Sequence, residues 1–177
     1  DLSMPTATLT KPAVSMQREA SMGTITGTSL IGFPGVMREV QVRAQFEANL
    51  NYAQPGPLTF SLPNASADSA WFAATYATDW TSWYASSGVP FAGGIPWVDG
   101  STYTVMARGV SMAGTYSANY STYTFVYDSV PPLTGGVEPA NGSIVHTLPQ
   151  LYGTLVDEPA TAGKGLTIET RLRIRRL

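Results

Sequence analysis

MREVQVRAQFEA, residues 37–48, alternates strictly: Val40, Val42, Ala44 and Phe46 fall on one side of an extended chain, and Glu39, Gln41, Arg43 and Gln45 on the other. Successive side chains of a strand point to opposite faces, so such a run buries one face and wets the other. STYTVMARGVS, residues 101–111, repeats the pattern with Tyr103, Val105 and Ala107 inward and Thr104, Met106 and Arg108 outward. YTFVYD, residues 123–128, places Tyr123, Phe125 and Tyr127 on one face. Shorter candidates are TATLT (6–10), GTITGTS (23–29), LTFSL (58–62) and SAWFAATY (69–76). Thirteen prolines and seventeen glycines interrupt the chain too often for long helices, and no stretch reads as an amphipathic helix. The expected fold is therefore all-β, an antiparallel sandwich.

Composition narrows the function. Apolar residues make up 44% of the 177, enough for a core, whereas charged residues are only 12%, about half the usual quarter. A net charge of −2 gives no electrostatic footing for nucleic acid. The surface must instead be filled by Ser, Thr, Ala, Gly and Tyr, a mix common in secreted β proteins. No cysteine is present, which removes disulfides, zinc thiolates and thiol nucleophiles. No apolar run reaches the length of a membrane span, so no membrane insertion is expected in this segment.

The chain then repeats itself. DLSMPTATLTKPAVS at residues 1–15 aligns with DSVPPLTGGVEPANGS at residues 128–143, bringing Asp1 onto Asp128, Pro5 onto Pro132, Pro12 onto Pro139 and Ala13 onto Ala140 at an offset of 127. ITGTSL (25–30) matches LYGTLV (151–156) at an offset of 126, and VQVRAQ (40–45) resembles LRIRRL (172–177). Four matches in one order predict a complete unit over residues 1–128 and the opening strands of a second, incomplete unit over residues 129–177. On that reading the chain is a segment of a longer protein. Three strands cannot close a second sandwich, so a continuing chain or a strand from a neighbouring molecule is expected to complete it.

DGSTYTVMA places Asp99 four residues before Tyr103, with Val105 and Ala107 alternating inward after it. It resembles the tyrosine corner of immunoglobulin-like sandwiches, whose hydroxyl bonds back to the main chain between the two sheets. A plain turn and strand is the simpler account. The ordered set ITGTS, VQVRA, the tryptophans Trp71, Trp80, Trp83 and Trp97, YTVMARGVSMAGTYS and YTFVYDSVPP resembles the large bacterial immunoglobulin-like repeats of secreted surface proteins. The resemblance spans residues 1 to about 132 and restarts after them. It implies an extracellular or cell-surface, usually non-enzymatic unit that spaces, adheres or assembles, with neighbouring copies or adjacent repeats as partners. It also places Trp71, and one of Trp80 and Trp83, in the core. Such relatives often carry Asp and Asn in the turn written here SMAGT, where Ser111 and Thr115 stand instead.

Chemistry is otherwise sparse. His146 is the only histidine, which leaves the usual nucleophile–base pairs and His-rich metal sites without members. The carboxylates Asp128, Asp157 and Glu158 could hold calcium at the seam between repeats, although scattered acids are more often ordinary turn residues. The aromatic middle offers Trp80, Trp83, Tyr84 and Trp97 as a binding patch for a glycan or a host or cell surface, with Trp80 and Trp83 partly exposed. The competing account lines the core with them. The expected function is thus a structural unit of a bacterial stalk, filament or surface layer, with an adhesin or carbohydrate-binding module as the alternative.

Overall fold

A computed structural model of the chain describes residues 3–12, 16–18, 23–54, 59–76, 78–86, 97–140, 142–147, 150–156 and 171. The strict alternation of residues 37–48 becomes β4 (Met37–Phe46), and STYTVMARGVS becomes β10 (Thr102–Ser111), to which β4 is antiparallel along its length. Together they form the spine of the larger sheet. Beyond β10 lie β11 (Ser121–Asp128) and, parallel to it, β2 (Met16–Arg18). On the other side of β4 come β5 (Asn51–Ala53) and β6 (Phe60–Leu62), while β7 (Phe72–Ala73) also pairs with β4. The smaller sheet runs in the order β1 (Thr6–Lys11), β3 (Thr24–Leu30), β9 (Ser82–Ser86), β8 (Thr75–Tyr76), antiparallel throughout. The molecule is an all-β sandwich, as the alternation requires.

Its core lies between the two sheets. Val40, Val42, Ala44, Tyr103, Val105, Ala107, Phe125 and Tyr127 face Ala7, Ile25, Trp83 and Ala85. Burying such side chains contributes about 1.5–3 kcal/mol for each large one. Gly27 is essential to the approach of the smaller sheet. It sits opposite Trp83 in the β3–β9 register, and a Cβ there would lie 2.1 Å from Trp83 Cζ2 and 2.2 Å from the Thr8 carbonyl oxygen. The Trp83 indole, laid over this glycine, donates to the Thr28 carbonyl at 3.0 Å.

Two expectations change. Residues 69–76 do not form one strand: Asn64–Ala70 is a short 3-10 helix, followed by the two-residue strands β7 and β8. The Ser66 N–H donates back to the Pro63 carbonyl at 2.8 Å, and the chain turns before it can extend. Second, the outward face of β4 is not simply wet, since Arg43 and Gln45 are each 8% exposed.

After Asp128 the chain forms a separate hairpin of β12 (Leu133–Glu138) and β13 (Tyr152–Val156), every residue of which is exposed. The third expected strand, at LRIRRL (172–177), falls outside the described residues. The register of this hairpin copies that of β1 and β3. Thr6 opposes Leu30 and Ala7 opposes Ser29, with a bulge between Leu9 and Lys11. Leu133 opposes Val156 and Thr134 opposes Leu155, with a bulge between Gly136 and Glu138. These are the positions the sequence offsets equate. Even the close approach recurs, because a Cβ on Gly153 would lie 2.2 Å from the Gly135 carbonyl oxygen, as one on Gly27 would from that of Thr8.

Candidate functional site

The four aromatic residues expected to form a patch are dispersed. Trp83 is 2% exposed and faces the core, which corrects the expectation that it is partly exposed. Its strand neighbour Tyr84 is half-buried and points to the opposite face of the smaller sheet. Trp80 is half-buried in the turn before β9, its ring 4.5 Å from that of Tyr76. Asp79, fully exposed in the same turn, is held below the usual carboxylate range by the hydroxyl and the backbone N–H of Thr81. Trp97 lies at the far end of the sandwich, packed edge-on against Tyr103 at 4.7 Å and Phe125 at 5.5 Å.

That far end is organised by Tyr103. Its ring is buried among Phe46, Phe60, Trp97 and Phe125, and its hydroxyl oxygen accepts the Val98 N–H at 2.8 Å. Burial pushes the phenol above its ordinary value of 10.0, against the pull of the hydrogen bonds with Val98 and Ser101. Asp99 does not reach back to Tyr103. Its Oδ1 accepts the N–H of Ser129 at 2.6 Å and the Ser129 hydroxyl at 3.0 Å, so it fastens the chain where it leaves β11. Asp128 is completely buried and accepts the Val130 N–H at 3.3 Å. Asp157 and Glu158, the other acids considered for calcium, lie outside the described residues. Among the described residues no three His, Asp or Glu side chains converge.

The SMAGT turn closes without acids. Ser111 Oγ accepts the Thr115 N–H at 3.0 Å, and Gly114 takes φ +82°, a conformation that favours glycine. The turn returns Tyr116 beside β10, where it bridges Val110.

A cluster that sequence reasoning missed lies on the outer face of the larger sheet. Phe72 pairs with Val42 and points inward, so its neighbour Trp71 points outward, correcting the expectation of a core tryptophan. The guanidinium carbons of Arg43 and Arg108 stand 4.4 Å and 4.1 Å from the Trp71 ring. Arg43 also lies over Tyr52 at 4.8 Å and Tyr120 at 5.4 Å, and Arg108 over Tyr116 at 4.3 Å. Trp71 and Tyr120 meet edge to face at 5.2 Å. Cation–π contacts contribute about 0.5–1 kcal/mol at exposed sites and about 2 when desolvated. Cross-strand pairs set the geometry: Arg43 opposes Met106 and donates from Nε to its sulfur at 3.2 Å, and Arg108 opposes Gln41 and donates from Nε to its Oε1 at 2.8 Å. Arg43 also donates to the Ala67 carbonyl of the 3-10 helix at 3.2 Å. Among the described residues neither arginine has a carboxylate partner; Glu39 is taken by Arg38 at 3.1 Å and by Gln41 at 2.7 Å. The Trp71 indole N–H is buried with no acceptor among the described residues.

Compared with protein-family models, with curated proteins and with solved structures, the chain matches none.

Proposed function

We propose that this chain is a structural repeat of an extracellular bacterial array, an immunoglobulin-like unit that spaces and assembles a stalk, filament or surface layer and performs no catalysis. The observation that carries the reading is the copied register of β1–β3 in β12–β13, down to the bulge and the close-approach glycine. A hairpin with both faces exposed is marginal in water by itself. In the first unit the outer edge of β3 is occupied by β9. The equivalent edge of β13 carries no strand among the described residues, and pairing with a neighbouring copy would give it one.

Asp99 and Asp128 support the same reading from the seam. By gripping the N–H groups of Ser129 and Val130 they define how the chain departs towards the next hairpin, which is what a spacer requires. Electron microscopy of the unstressed protein across a concentration series is the test. End-to-end particles or filaments are expected. Discrete single sandwiches at every concentration would remove assembly from the proposal.

A further inference from the structure

The outer-face cluster is independent of the array reading and poses a separate question. Two arginines converge on one tryptophan in a chain with ten basic residues altogether, and no acid on the described surface answers them. Arg43 is nearly buried, so its charge is held by ring faces and the Ala67 carbonyl. Arg108 is half-buried and uses only Nε, towards Gln41, so its two terminal nitrogens have no hydrogen-bond partner among the described residues. Tyr116, whose ring lies against the Arg108 guanidinium, is 47% exposed, and Tyr120, beside Arg43 and Trp71, is 43% exposed. The indole N–H of Trp71 lies buried in the same cluster, with no acceptor among the described residues. Only the indole N–H is buried; the Arg108 terminal nitrogens stay within reach of a ligand.

What would complete the cluster must bring an anionic, forked acceptor for the Arg108 guanidinium, which binds carboxylates and sulfates with two parallel bonds. It must also bring a flat, partly apolar body for the tyrosine rings. The backbone offers nothing further here. β10 is paired on both edges, with β4 and β11, so an extended peptide cannot add as a strand. Recognition is left to rings and a guanidinium, a combination suited to a sugar carrying an acid group. We propose that the outer face of the larger sheet binds an acidic saccharide, with Arg108 taking the acid group and Tyr116 and Tyr120 taking the face of the sugar ring. Arg43 and Trp71 act as positioning residues: Arg43 packs over Tyr120, and Trp71 packs against both Arg108 and Tyr120.

The test is calorimetric titration of the intact protein at low salt with oligogalacturonate, a sulfated oligosaccharide, a neutral dextrin of equal length and an oligoglutamate peptide. Binding of one or both acidic sugars is expected, with no binding of the dextrin, and the stronger of the two acidic arms identifies carboxylate or sulfate as the acid group. Arg108→Ala should weaken that binding at least tenfold and Tyr116→Ala several-fold, while Arg108→Lys recovers part of it. Thermal melts of each variant verify the fold, and Tyr116→Ala, at an exposed position, keeps the test open should Arg108→Ala unfold. Failure of both acidic sugars to bind would overturn the proposal. So would dextrin binding of equal strength, or oligoglutamate binding tighter than either sugar.

Discussion

Tyr103 joins the chemistry of one side chain to the closure of one end of the sandwich. Its ring fills the space between Phe46, Phe60 and Trp97, and its hydroxyl accepts a main-chain N–H from the segment entering β10. Replacing it by Phe keeps the ring and removes the acceptor. Tyr103→Phe should therefore cost about 1 kcal/mol at neutral pH, read from urea melts. The pH dependence has a definite sign. Because the phenol is raised in the folded state, chiefly by burial, the unfolded chain releases this proton first as pH climbs past about 10. The stability Tyr103 provides is present below that pH and is lost above it. The gap between the natural protein and Tyr103→Phe should narrow from pH 9 to about pH 11. A gap that stays constant or widens would show that the hydroxyl is not buried as described.

At the scale of elements, glycine placement separates the two hairpins. A methyl group at Gly27 would strike both the Trp83 ring and the Thr8 carbonyl, so Gly27→Ala should destabilise the sandwich by about 3 kcal/mol. Gly153→Ala meets only the backbone of Gly135 and Gly136, within the same hairpin. It should loosen β12–β13, seen as faster amide exchange there, while leaving the main melting transition in place. Equal loss of melting temperature in the two variants would make the hairpin part of the first sandwich and undo the repeat. Much of this was legible beforehand. β4, β10 and β11 follow from period-two alternation, and the hairpin correspondence from Pro5/Pro132, Pro12/Pro139 and the two glycine–threonine pairs. β9 is not among the strands read from the sequence, although Trp83 and Ala85 alternate inward against Tyr84, because five residues with two inward positions make too short a period-two signal. The outer-face cluster was not legible at all. It depends on Arg43 opposing Met106 and Arg108 opposing Gln41, a register between strands some sixty residues apart that no local pattern encodes.

The whole molecule has two unlike ends. β11 leaves at the end closed by Tyr103, with Asp99 and Asp128 holding the departing chain. The other end, where β1 and β4 begin and β3 and β10 finish, carries Met4, Leu30, Phe33, Val36 and Met112, each at least half exposed and Phe33 fully so. Met112 and Val36 are joined there by a backbone hydrogen bond of 2.8 Å, and a shallow cleft of about 330 Å³ runs from Leu30 and Val36 to Trp80. Single exposed apolar residues are ordinary, but five gathered at one end form a surface that water disfavours. An array that joins the exit end of one copy to the entry end of the next would cover it. The double variant Phe33→Asp with Met112→Asp should then abolish end-to-end association in sedimentation velocity. Its melting should stay within about 0.5 kcal/mol of the natural protein, because neither side chain is part of the core. If association persists in the double variant, the contact between copies lies elsewhere, and the open edge of β13 becomes the place to block next. If the natural protein does not associate at all, the apolar end has no role between copies and the spacer reading stands only within a single chain.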